Sequence, residues 1–129
     1  MLAAAMLAAT PLLAQAPSPR DAIIAAAQAG AAADLGKPVK LVVDSVKTVG
    51  EWAFVLSHMQ SPDGGRLDYR GTRYAEAAAN GGKSYSHAVL LRLRPGGWDV
   101  VEQAVGPTDV AWTDWAARYN APPAVFASP

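Results

Sequence analysis

No cysteine occurs among the 129 residues. Its absence removes disulfides, Cys-ligated zinc, iron–sulfur clusters and thiol nucleophiles together, and leaves the fold to be held by packing alone. Net charge is missing as well. Eleven basic residues balance eleven acidic ones, so the summed field draws the chain neither to nucleic acid nor to an anionic membrane surface, and neither is expected as a partner. Histidine is scarce: His58 and His87 are the two copies. They have neither the H-x-H nor the H-E-x-x-H spacing that builds a metal site, so no metal and no cofactor are expected. Nothing resembles a nucleophile elbow, and Ser57 and His58, adjacent on a strand, point to opposite faces and cannot act on one another. Aromatic residues are few, 8% against an apolar fraction of 51%. Alanine makes up much of the difference, so the core should be modest.

What is present divides simply. Residues 1–16, MLAAAMLAATPLLAQA, carry no charged side chain and end in small residues, the pattern of a signal peptide, with cleavage expected after Ala14 or Ala16. The apolar run is too short to span a membrane, so no stable insertion is expected after processing. The remaining 17–129 are the length of one domain, expected in the periplasm or outside the cell, as monomer or homodimer. Ser18-Pro19-Arg20-Asp21 starts a helix, with a serine cap, proline in the first turn and an acid facing the positive end of the dipole. The helix should run from Pro19 to Leu35, present an alanine-rich stripe (Ile24, Ala27, Ala31, Leu35, with Ile23 beside it) and stop at Gly36 and Pro38.

Four strands follow. The first, 39–49, changes parity between Val43 and Val46, which implies a bulge near Asp44-Ser45 or a packing partner on each face. The second, 51–60, is apolar on both faces. Residues 67–74 read as a short irregular strand and 74–79 as one helical turn. Tyr85–Arg94 and Trp98–Val105 form a hairpin closed by Pro95-Gly96-Gly97. Its expected register sets Leu93 against Trp98, Arg92 against Asp99 as an ion pair, Leu91 against Val100 and Leu90 against Val101. Apolar pairs on both faces demand two covers. The first helix supplies one; a short helical tail with Trp112, Trp115 and Tyr119 on one stripe, capped by Thr108 or Thr113 and anchored by Val125-Phe126, supplies the other. The fold class is therefore α+β, an N-terminal helix on a four-stranded antiparallel sheet with a Trp-rich tail over the other face or edge.

This element order resembles the cystatin-like class, which includes the nuclear-transport-factor-like folds. The segments Gly50–Val55, Gly97–Glu102 and Gly106–Trp112 are similar to the G-W-A-F-V, G-W-x-V-V-E and G-x-T-D-V-x-W stretches of short secreted bacterial proteins. That resemblance implies a fold but brings no chemistry. The inhibitory Q-x-V-x-G of cystatins is not matched, because Gln103-Ala104-Val105-Gly106 lacks the residue between valine and glycine.

The candidate site residues are Thr108 and Asp109, at the turn between sheet and tail; Trp112 and Trp115, an aromatic surface suited to a sugar face; and Arg70 and Arg73, with Arg66, in a loop suited to an acidic partner. Thr108 or Asp109 capping the tail, and the tryptophans forming a core stripe, are the plainer readings of the same residues. The expected function is binding of a partner protein or small ligand, without catalysis. The alternatives are cell-wall glycan binding and a small-molecule acid–base enzyme of the nuclear-transport-factor-like kind, with Asp44 or Glu102 as base and His58 and Tyr85 as companions in a cavity between helix and sheet.

Overall fold

Ser18 accepts a hydrogen bond from the Asp21 amide and sets the start of helix α1, Pro19–Leu35; Gly36, left-handed at φ 74°, ends it. These bounds are the ones the caps predict. The computed structural model describes residues 18–127; the expected signal peptide lies outside the described residues. Strands β1 (Lys40–Val49), β2 (Trp52–Gln60), β3 (Ser86–Arg94) and β4 (Gly97–Val105) form one antiparallel meander in the order β1-β2-β3-β4. Between β2 and β3 lies helix α2, Ala75–Ala79; after β4 come helix α3, Trp115–Tyr119, and a 3₁₀ turn, Pro123–Phe126.

Alternation along the strands divides the sheet into two cores. Ala53, Val55 and Met59 of β2, with Val89 and Leu91 of β3, join Ile23, Ala27, Ala31 and Leu35 of α1. Ile23, rather than Ile24, is the fully buried member of the stripe. Because the stripe is mostly alanine, the helix lies close to the sheet: a methyl added at Gly30 would come within 2.8 Å of Val100 Cγ2. On the opposite face Phe54, Ala88 and Leu90 pack with Trp115, Ala121 and Val125. The tail thus covers the second face, and Val125 is its most deeply buried anchor.

Two bulges shape the sheet. The register of β1 on β2 shifts between Val43 and Ser45, leaving Asp44 as the extra residue, where the parity change places it. The hairpin register holds for Leu93–Trp98, Arg92–Asp99 and Leu91–Val100, but Leu90 lies opposite Glu102, not Val101. Val101 is the extra residue there. Consecutive valines satisfy either register equally, so apolar patterning does not reveal this second bulge. The Arg92–Asp99 ion pair is also corrected: the Arg92 guanidinium lies over the Trp52 ring, 5.0 Å from its centre, and Asp99 forms no ion pair among the described residues.

The middle segment is mostly irregular. The strand expected at 67–74 does not form; a single bridge between Gln60 and Arg66 is what remains of it. Leu67 and Tyr69 instead insert into the helix-side core, which fixes the loop by burial rather than by a backbone ladder. The helical turn at 75–79 forms as expected. In the tail, neither Thr108 nor Thr113 caps a helix, since α3 begins only at Trp115, with Asp114 before it and no side-chain cap bond.

Candidate functional site

The helix-side interface is filled, so room for a ligand lies under the tail. There the bulge at Asp44 resets the parity of β1, and Ser45 and Lys47 face the tail opposite Leu56 and Phe54. The chain between β4 and α3 passes over these residues as an exposed turn, Thr108-Asp109-Val110, and descends at Trp112. A cavity of about 300 Å³ lies between them, lined by Ser45, Lys47, Phe54, Leu56, Val110, Trp112 and Phe126. A second, of about 200 Å³, is lined by Asp44, Leu56, Ser86, Ala88, Pro107 and Trp112. Leu56 and Trp112 line both, so the two hollows adjoin along the groove between sheet and tail.

Its walls are aromatic and its ends polar. Phe54 meets Trp112 at 5.6 Å and Phe126 at 4.8 Å between ring centres, tilted contacts worth about 0.5–1.5 kcal/mol each beyond area burial. Asp44 lines the smaller hollow, and His58 Nδ1 stands 2.7 Å from its Oδ2, with both side chains about half exposed. Donation of Nδ1–H to the carboxylate fixes the orientation of the ring and leaves Nε2 clear of Asp44. Ser86 is the cross-strand partner of His58. The Met59 amide donates to the Tyr85 carbonyl at 2.7 Å, so the next pair, His58 and Ser86, is a non-hydrogen-bonded one, in which facing side chains stand closest.

The residues singled out in the sequence scatter around this groove. Trp112 is half-buried in its wall, while Trp115 is 3% exposed inside the tail core, so the tryptophans do not make an open platform; Tyr119 donates its hydroxyl to Glu102. Thr108 and Asp109 are exposed and line a separate shallow hollow with Tyr74 and Lys83. Arg70 chelates Asp68 within its own loop, through Nη2 at 2.7 Å and Nε at 2.9 Å, and that guanidinium lowers the Asp68 carboxyl to about 2. Arg73 reaches Asp34 on α1 at 2.6 Å, and Arg66 lies over Tyr85. An open hollow of about 350 Å³ beside Arg66, Tyr69 and Arg70 is therefore walled by cations already engaged within the chain. Asp44, His58 and Glu102, expected around a helix–sheet cavity, lie with the tail instead. Lys47 carries no sequence signal of its own, and Leu56 and Phe126 read only as a strand position and a tail anchor; the parity change at Asp44 was the available clue, since it turns Ser45 and Lys47 toward the tail.

Compared with protein-family models, with curated proteins and with solved structures, the chain matches none.

Proposed function

We propose that this chain is an exported, non-enzymatic domain that binds a small, partly apolar ligand in the groove between the outer face of the sheet and the tail. The observation that carries the reading is the pair of adjoining hollows that share Leu56 and Trp112 in their walls. They are concave, aromatic-walled and bounded by a few polar groups, the usual make-up of a small-molecule site. The middle loop contributes less, because Arg70 and Arg73 spend their charge on Asp68 and Asp34. Glycan binding loses one of its rings with the burial of Trp115. Export rests on residues 1–16, and the mass of the protein recovered from the cell envelope tests it through the loss of the first 14 or 16 residues.

The binding test uses the uncharged fluorophore N-phenyl-1-naphthylamine, whose emission rises in apolar surroundings. The wild-type chain should enhance it saturably. Leu56→Trp, which enlarges a side chain that lines both hollows, should abolish the enhancement while far-UV circular dichroism stays unchanged. Equal enhancement by the folded variant would remove the groove as the site.

One observation favours a second reading, an acid–base enzyme: Asp44 and Ser86 line the smaller hollow, and His58 is bonded to Asp44 and is the cross-strand partner of Ser86. There His58, oriented by Asp44, would take the proton as the Ser86 hydroxyl attacks. A fluorophosphonate probe, which loses fluoride as the serine oxygen bonds phosphorus, should then label Ser86 in the wild type and not in His58→Ala. Absence of labelling in both leaves binding alone.

A further inference from the structure

The charge around the larger hollow is one-sided. Lys47 stands opposite Phe54 in the register and so on the tail face, and it lines the cavity of about 300 Å³ together with Phe54, Leu56, Trp112 and Phe126. No carboxylate lines that cavity. Among the described residues Lys47 forms no ion pair, as is true of most cations of this chain, but it is the one that lines this cavity. Asp44, the nearest acid along β1, lines the smaller hollow and is engaged by His58 at 2.7 Å. An unpaired ammonium beside an apolar, partly water-excluded wall attracts an anion more strongly than the same group in open solvent. A cationic ligand would be repelled there, and a neutral one would leave Lys47 unused.

From this we infer that the groove selects an anionic amphiphile, a carboxylate on an apolar chain or ring, with its head at Lys47 and its body beneath Trp112. The inference rests on the binding reading above and adds the ligand class. A chain lying along the larger hollow would extend toward Leu56 and Trp112, the wall shared with the smaller hollow.

The test compares three ligands of one chain length, decanoate, decanol and decylamine, each below its aggregation threshold. Each displaces N-phenyl-1-naphthylamine from the full chain at neutral pH and low salt. Decanoate should bind about tenfold or more tighter than decanol, a charge-assisted contact being worth at least that factor, with decylamine the weakest. Its advantage should shrink at 0.5 M salt. Lys47→Ala should bring decanoate to the level of decanol without moving decanol, and Lys47→Glu should make decylamine the tightest of the three. Equal binding of decanoate and decanol, or an unchanged preference in Lys47→Ala, would overturn the anionic assignment while leaving the groove as a binding site. Failure of all three ligands and of the fluorophore would overturn both.

Discussion

At His87 the chain buries an imidazole and satisfies one side of it. His87 Nε2 and Gln103 Oε1 are 2.8 Å apart, and the same amide donates through Nε2 to the Gly30 carbonyl at 3.2 Å. The amide nitrogen is thus spent on α1, its oxygen faces the ring, and Nε2 carries the proton. Among the described residues Nδ1 has no partner, nor has the buried hydroxyl of Ser57, the cross-strand neighbour of His87. Burial lowers the His87 pKa below its ordinary 6.5, against the opposing pull of Gln103 and the Asp34 charge. The folded state therefore binds fewer protons than the unfolded chain as pH falls through 6.5. Stability is complete above that value and declines from there toward the lower folded-state pKa. Urea unfolding between pH 7.5 and 5 should show this decline, and His87→Leu should flatten that part of the profile; parallel profiles would contradict it.

Gly106 is the other single position on which much depends. It adopts φ 63°, and a methyl there would lie 2.4 Å from Tyr69 Oη and 2.7 Å from the Ser84 carbonyl. Tyr69 donates to that carbonyl at 2.5 Å, and the Ser84 hydroxyl donates to the Pro107 carbonyl at 2.5 Å. Gly106→Ala should therefore cost about 2–4 kcal/mol in chemical denaturation, from left-handed strain plus the displaced hydrogen bonds. A cost under about 1 kcal/mol, near the usual effect of a single substitution, would mean that Tyr69 yields freely.

Among the elements, the tail carries more stability than its five-residue helix suggests. A helix that short is not stable by itself; it is held because Trp115 and Val125 fill the space over Phe54 and Leu90. Trp115→Ala should cost about 3–5 kcal/mol in urea unfolding, the range for deleting a buried large aromatic. A chain ending at Asn120 should bind an apolar dye through the uncovered Phe54 and Leu90. The element boundaries show what a sequence discloses. Helix α1 was legible because Ser18-Pro19 and Gly36 mark both ends chemically, and the bulge at Asp44 because apolar parity changes there. The bulge at Val101 was not, since Val100 and Val101 are interchangeable to the pattern. Residues 67–74 lack a ladder, and the burial of Leu67 and Tyr69 that orders them depends on distant partners. Thr108 looked like a cap because caps precede apolar stripes; Pro107 and the exposed turn delay α3 to Trp115.

For the molecule as a whole, one sheet separates two unlike cores. Alanine and glycine let α1 lie flush on the sheet, with Ala27 and Ala31 fully buried, which leaves that side closed. The tail meets its side with large rings whose tilted packing leaves the groove between them. The candidate site was accordingly legible in part. Trp112 was marked by its aromatic setting, and Asp44 and His58 by their chemistry. The face they share depends on the strand register and on the direction of the chain after Pro107, which local sequence does not encode. Lys47 remained hidden because one lysine on an edge strand looks the same whether it faces solvent or a cavity.

Backbone amide NMR of the full domain titrated with decanoate tests the location of the site most directly. Saturable shift changes should cluster at Ser45, Lys47, Leu56, Val110 and Trp112, with the α1 stripe at Ala27 and Ala31 unmoved. Shifts centred on α1 or the 66–73 loop, or no saturable change, would contradict that location.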